Sequence, residues 1–289
     1  MCRFLAWIGA PRFLDDFVLK ADQSLVTQSR SALVGKTSLN ADGFGLAWYA
    51  DQETPCVYKD VHPAWSDENL KQIASHTKAR LFLAHVRAST STATSRNNCH
   101  PFSRGRWSFM HNGQVGGHLK LRQTLDGMIP LDCYDQRYGA TDSEAIFLIA
   151  AGLGLDQAPI SAMERAVGQV EMLSRERDYT PYMRFAACWS DGEKLYAARY
   201  ASDRFVPSLF YQVHQDGIVI GSEPLDDDVT GWIEVSPGTA IATDGRTLDQ
   251  TDFRPHFQEQ VVVAANSEFS AASYDGERTL AQTDSGNVN

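Results

Sequence analysis

The order of elements along the chain predicts an α+β fold with antiparallel sheets lying between helices. Three observations carry that expectation. Short aromatic and apolar runs bounded by Gly or Pro read as strands in the first third of the chain. Helical patterning is confined to 66–79 and to the stretch from Thr141 to about residue 176. After Pro181 the chain becomes a series of hairpin patterns. Strands and helices therefore do not alternate regularly, which excludes a parallel α/β fold and favours layered antiparallel sheets.

Each element has its own signal. Residues 2–9 and 43–49 are the first strands. Over 66–79 Ser66 is placed to cap, Asp67 and Glu68 suit the first turn, and Leu70, Ile73, Ala74 and Thr77 share a face. The run 81–87 is too short and too apolar for a surface helix and reads as a buried strand. Trp107 to His111 is another, expected to end in a turn at Asn112-Gly113. Thr141-Asp142-Ser143-Glu144 has the form of a capping box and opens a helix that stops near Gly152 and Gly154. A second helix over 159–176 carries Ile160, Met163, Val167 and Val170 as one stripe. Strands 183–190 and 193–200 flank Asp191-Gly192, strands 209–213 and 218–222 flank a turn with Asp216-Gly217, and two more surround Pro237-Gly238 and end at Asp244-Gly245. Residues 2–263 read as one domain without linker or repeat, and 264–289 as a polar, disordered tail.

The bulk numbers narrow the function classes. With 289 residues, 43% hydrophobic and 21% charged, the chain has the composition of an ordinary globular protein. A formal net charge of -10 argues against nucleic-acid or anionic-membrane partners, which need clustered Lys and Arg. No apolar run approaches a membrane span, and the first residues lack the form of a signal peptide. Cys2, Cys56, Cys99, Cys133 and Cys188 are odd in number and widely spaced, with neither a C-x-x-C pair nor zinc-ligand spacing. Free thiols in a reducing, cytoplasmic setting, with no metal and no cofactor, are the expectation.

Cys2 is the residue with the most chemistry available to it. Loss of Met1 would leave Cys2 with its thiol and a free α-amine on one Cα. Their unperturbed pKa values, about 8.5 and about 7.7–8.0, allow proton exchange near neutrality. The amine can then serve as base for its own side chain.

Downstream motifs give Cys2 a context. They are Met1-Cys2-Arg3-Phe4, Ser24-Leu25 with Gln28-Ser29, Asn40-Ala41-Asp42-Gly43-Phe44-Gly45, Pro63-Ala64-Trp65 and His85-Val86-Arg87-Ala88-Ser89-Thr90. Asn98-Cys99-His100-Pro101-Phe102, Phe109-Met110-His111-Asn112-Gly113, Thr141-Asp142-Ser143-Glu144 and Ser222-Glu223-Pro224 follow. In this order, over roughly 1–230, the chain resembles the class II glutamine amidotransferases of the N-terminal nucleophile superfamily. It is most similar to stand-alone bacterial members and to the amidotransferase-like subunit of the yeast glutathione-degrading complex. Ala41 departs from the Gly usual there but removes no functional group.

The resemblance implies a four-layer αββα sandwich and hydrolysis of a γ-glutamyl amide through a Cys2 thioester. It implies Asn112 and the Gly113 N–H as oxyanion donors. Arg87 would bind the substrate α-carboxylate and Asp142 its α-ammonium, with His111 also counted among the substrate-binding residues. An Arg beside a core strand also suits a structural ion pair, and Asp142 also suits a helix N-terminus. His85, His100 and His111 read as hydrogen-bonded structural histidines rather than metal ligands or a base. Cys99 is a rival thiol in a segment whose family counterpart is not the nucleophile. Asp42 to Gly45 is expected to line the site floor, with Gly43 and Gly45 admitting close backbone approach.

No synthetase or phosphate-binding segment is recognisable. The substrate is thus expected to be glutamine or another γ-glutamyl compound. The alternatives are a glutathione-like γ-glutamyl peptide cleaved with a separate acceptor or peptidase subunit, or a non-catalytic regulatory subunit.

Overall fold

The computed structural model describes residues 2–31, 39–89, 92–226 and 229–256. Residues 1–258 group as one compact unit. The expected end of the domain at 263 and the expected tail lie outside the described residues.

The chain opens with β1 (Arg3–Phe13), the short helices α1 (Asp15–Val18) and α2 (Leu25–Arg30), and the hairpin β2 (Phe44–Trp48) and β3 (Cys56–Asp60). Then come α3 (Glu68–His76), β4 (Lys78–Val86), and a second hairpin of β5 (Phe102–Arg104) and β6 (Trp107–Val115). Four helices follow: α4 (His118–Gly127), α5 (Leu131–Tyr134), α6 (Asp142–Gly152) and α7 (Pro159–Glu176). The remainder is β7 (Met183–Ser190), β8 (Leu195–Ala201), β9 (Phe210–His214), β10 (Gly217–Gly221), β11 (Trp232–Glu234), β12 (Thr239–Thr243) and β13 (Leu248–Asp252).

The strands form two antiparallel sheets, ordered β11-β9-β10-β1-β4-β2-β3 and β13-β12-β8-β7-β6-β5. Period-two alternation sends successive side chains to opposite faces and builds the layers. Phe4, Ala6 and Ile8 of β1 meet Met110, Ala186 and Cys188 between the sheets. Leu5 and Trp7 turn the other way, onto Phe17, Leu70 and Ala74 of the N-terminal helices. Phe109 and Phe185 face α6 and α7 on the far side. Three apolar seams thus separate four layers, the expected αββα sandwich. Helix α6 is apolar on nearly every face, and Ala145 through Ala150 are all buried. A helix of that kind needs cover all round.

Helix α7 has the bounds expected, and the hairpins about Asp191-Gly192 and Asp216-Gly217 form. Other expectations are corrected. Asp67, not Ser66, caps the first long helix, its carboxylate accepting from Leu70 N at 2.6 Å. The two strands about Pro237-Gly238 do not pair with each other: β11 adds to β9 and β12 to β8. Strand β13 escaped the sequence reading because its outward residues are polar.

The largest correction concerns Asn112-Gly113. An Asn-Gly hairpin turn requires positive φ at both residues. Here β6 runs straight through, pairing Asn112 with Ala186 and Gly113 with Phe185, and the chain turns later, at Gly117 with φ 66°. Gly113 is there for proximity, since a Cβ would stand 1.9 Å from the Arg184 carbonyl oxygen.

Candidate active site

Cys2, Arg87, His111, Gly113 and Asp142 lie on the wall of one cavity of about 520 Å³. The first two come from one sheet and its flanking loop. The next two come from the other sheet, and Asp142 opens α6. Asn112 does not line the cavity. It is buried one residue away on the opposite face of β6, and its Oδ1 has no hydrogen-bond partner.

The Cys2 thiol sits against the strand end of β4: Ala88 N donates to Sγ at 3.4 Å, and Sγ lies 3.6 Å from the Ala88 carbonyl oxygen. Burial pushes this thiol above its ordinary pKa. The Ala88 N–H and the positive charges of the chain amine, Arg87 and Arg3 pull in the opposite direction.

Arg87 is buried, with 3% exposure. Its guanidinium donates to the Ser89 hydroxyl at 3.0 Å, the Thr92 hydroxyl at 2.7 Å and the Asp42 carbonyl at 3.3 Å. Among the described residues it has no carboxylate partner, so the ion pair that would make it purely structural is missing. Asp42 works from behind. Its carboxylate accepts from Ser89 N at 2.7 Å, and its backbone N–H reaches the Arg87 carbonyl.

Asp42 to Gly45 are not on the cavity wall, contrary to expectation, but stand one shell behind it. The expected close approach does occur there. A Cβ on Gly43 (φ 116°) would meet Cys99 Sγ at 2.6 Å, and one on Gly45 the His100 carbonyl at 2.1 Å.

Thr141 caps α6 by accepting from Glu144 N at 3.2 Å. The box closes only halfway, because Glu144 turns to the N–H groups of Tyr138 and Gly139 and pairs with Arg137. Asp142 accepts from Ser143 N at 2.9 Å and, with its other oxygen, from Val115 N at 3.0 Å. That second bond fixes the sense of β6. Backbone N–H groups alternate in direction along a strand, and Gly116 N points the other way, to Tyr182 O of the strand-β7 side. Gly113 N–H therefore points to the same side as Val115 N–H, where β5 has ended and β6 has no neighbouring strand.

The histidines divide. His111 is hydrogen-bonded at both ring nitrogens, to Ser143 Oγ at 2.9 Å and the Arg184 carbonyl at 3.2 Å. His85 and His100 depart from the expectation: their rings stack at 4.2 Å, and their nitrogens lack hydrogen-bond partners. His85 lies close to the His111 carbonyl without hydrogen-bond geometry. Burial holds His85 neutral, its pKa lowered to about 3, and drives His100 well down too. Cys99 is fully buried and its thiol is pushed up to about 11, which suits a packing residue rather than a nucleophile.

The sequence reading missed Gln114, His118, Lys120 and Tyr179, which also line the cavity. They come from the end of β6, the first turn of α4 and the loop after α7, segments with no motif to mark them. Among the described residues one group has metal-ligand spacing, Asp60, His62 and Asp67. Asp60 is already engaged by Arg96 and His62, and none of the three lines the cavity. No helix among the described residues is long and apolar enough to cross a membrane.

Comparison with known proteins agrees with this architecture. Residues 17–216 match the family model of glutamine amidotransferases class-II, a span that begins after Cys2. The chain is 29% identical over 298 residues to a probable glutamine amidotransferase, DUG3, of Saccharomyces cerevisiae, covering 86% of this chain and 83% of that protein. It is 31% identical over 237 residues to a gamma-glutamyl-hercynylcysteine sulfoxide hydrolase of Mycolicibacterium smegmatis, covering 81% and 92% respectively. Among solved structures, a glutamine aminotransferase class-II domain protein from Silicibacter pomeroyi superposes with a TM-score of 0.70 at 39% identity, over 88% of this chain and all of that one. The phosphoribosylpyrophosphate amidotransferase of B. subtilis, at 16% identity and TM-score 0.63 over half its length, shares the fold. With the family model spanning well over half of the sequence, the chain belongs to the class II glutamine amidotransferases.

Proposed function

We propose that the protein hydrolyses the γ-glutamyl amide bond of glutamine or of another γ-glutamyl compound, with Cys2 as nucleophile after removal of Met1. The observation that carries this reading is the shared cavity. It sets a thiol beside a buried guanidinium that has no carboxylate partner among the described residues, with the Asp142 carboxylate on the same cavity wall. A γ-glutamyl head group carries the complementary charges, an α-carboxylate for Arg87 and an α-ammonium for Asp142.

In the proposed reaction the Cys2 α-amine takes the thiol proton, a role the upward push on the thiol makes necessary near pH 7. The thiolate attacks the γ-carbonyl carbon. The resulting oxyanion is received by the Gly113 N–H, which points to the open edge of β6, and by the side-chain amide of Asn112 once that amide, which stands off the cavity wall, turns toward it. Collapse breaks the C–N bond, the α-ammonium protonates the leaving amine, and a γ-glutamyl thioester remains. Water, deprotonated by the same amine, attacks the thioester and releases glutamate and the thiol. The name of the mycobacterial relative favours γ-glutamyl compounds with a larger leaving amine. The free cysteines suit a reducing, cytoplasmic setting, and work with a separate partner subunit is the alternative reading.

The test is release of glutamate from glutamine, glutathione and γ-glutamyl dipeptides, with intact mass recorded alongside. Active protein should lack Met1, and Cys2→Ala should be folded and reduced to background. Turnover by protein that retains Met1, or unchanged turnover by Cys2→Ala, would sink the assignment.

A further inference from the structure

Ser222-Glu223-Pro224 lies far from the cavity in sequence and contributes nothing to its wall, yet it packs against the two residues that follow Cys2. Strand β10 ends at Gly221, beside the start of β1. Ser222 N donates to the Phe4 carbonyl at 2.9 Å, and Phe4 N donates to Ser222 Oγ at 3.1 Å. Glu223 ion-pairs with Arg3 Nε, and both side chains are essentially sealed from solvent, at 0% and 1% exposure. The same guanidinium donates from Nη1 to the Cys2 carbonyl at 2.8 Å. The Pro224 carbonyl accepts from Gln28 Nε2 at 3.2 Å, which ties this corner to α2.

A terminal residue is normally the least ordered part of a strand, because chain enters it from one side only. A nucleophile there needs something other than the preceding peptide to hold it. We infer that the buried Arg3–Glu223 pair is a positioning device for the nucleophile, with Glu223 aiming the Arg3 fork that clamps the Cys2 carbonyl. This rests on Cys2 being the nucleophile. Neither residue touches the cavity wall, so the pair acts through Cys2 and not on substrate. A buried ion pair is weak evidence for stability, because desolvation offsets the attraction. That leaves specificity of geometry as the reason to keep one here.

Three variants, Glu223→Gln, Arg3→Lys and the double variant Arg3→Met/Glu223→Leu, test the inference once intact mass shows loss of Met1 from each. The double variant removes both charges and is expected to melt near the wild type. Its kcat should fall at least tenfold with KM within about twofold. Hydrogen exchange over residues 2–8 should quicken at least tenfold while that of α6 and α7 does not change. Arg3→Lys keeps the charge but gives up the planar fork and should lose kcat part of the way, with KM unchanged. Glu223→Gln should fall between the two. Wild-type kcat and wild-type exchange at residues 2–8 in whichever of these variants folds would overturn the inference. If the wild type hydrolyses no γ-glutamyl compound, the functional reading fails, while the exchange data still decide whether the pair holds Cys2.

Discussion

Two buried arginines flank Cys2, and they are treated in opposite ways. Arg3 on β1 faces the outer helical layer and meets the Glu223 carboxylate, while Arg87 at the end of β4 faces the cavity and is held by hydroxyls and carbonyls. They sit on adjacent strands, where Arg3 pairs with Val86. Their exposures, 0% and 3%, are nearly equal. Burying a guanidinium is costly unless its charge is met. For Arg3 the protein meets it. For Arg87 the described residues supply neutral acceptors that fix the fork in place, and under the proposed function the negative charge comes with the substrate. Depth alone does not separate these two arginines; the charge of their partners does.

Substitutions can break this contrast. The largest effect is expected at Arg3→Met alone, which strands the Glu223 carboxylate in the interior. A loss of about 3–5 kcal/mol in unfolding free energy is expected, measured by urea titration. Arg87→Met should do the reverse. It should cost kcat/KM roughly 10²–10³-fold, the scale for truncating one member of a buried charge pair, while leaving the urea midpoint unchanged or raised. Equal destabilisation by both variants would erase the distinction. Asn112→Ala is expected to lower kcat by about 10²-fold with little change in KM, the signature of an oxyanion donor. A change confined to KM would instead mark a substrate contact.

The remaining effect is in pH. His85 is held neutral in the fold with a pKa of about 3, against 6.5 when unperturbed. Between these values the unfolded chain binds the proton and the folded chain does not, so stability is fully present above about 6.5 and is lost as pH falls toward 3. The slope is about 1.4 kcal/mol per pH unit for each histidine so held, and His100 acts in the same sense. His85→Phe should flatten the acid limb of stability measured from pH 6.5 to 4. An unchanged limb would show that His85 takes up its proton as readily in the folded protein as in the unfolded chain.

Much of the site was legible because its chemistry is carried by residue types with few other reasons to be where they are. Cys2 behind the initiator, Arg87 closing an apolar run and Asp142 in the first turn of a capped helix each had a local signal, and the fold brings all three to one cavity. Asn112-Gly113 reads as a turn in the sequence and is strand in the fold. The dipeptide cannot announce that a neighbouring strand carries a carbonyl 1.9 Å from where a Cβ would stand. The histidines misled for a related reason. A stacked, unpartnered pair such as His85 and His100 depends on two segments meeting, which no single segment encodes.

The sequence by itself determined the layers. Period-two and period-3.6 patterning are properties of neighbouring residues, and they dictate which faces must be covered. It also marked the proposed nucleophile and its proposed helpers as a set. Only the tertiary structure decided which arginine meets a carboxylate and which meets neutral acceptors, that Asn112 lies behind the wall while Gly113 lies on it, and that Glu223 reaches Arg3. Those outcomes depend on contacts across as many as 220 positions of chain. At that separation, packing and desolvation choose the partners, and local propensity has no influence.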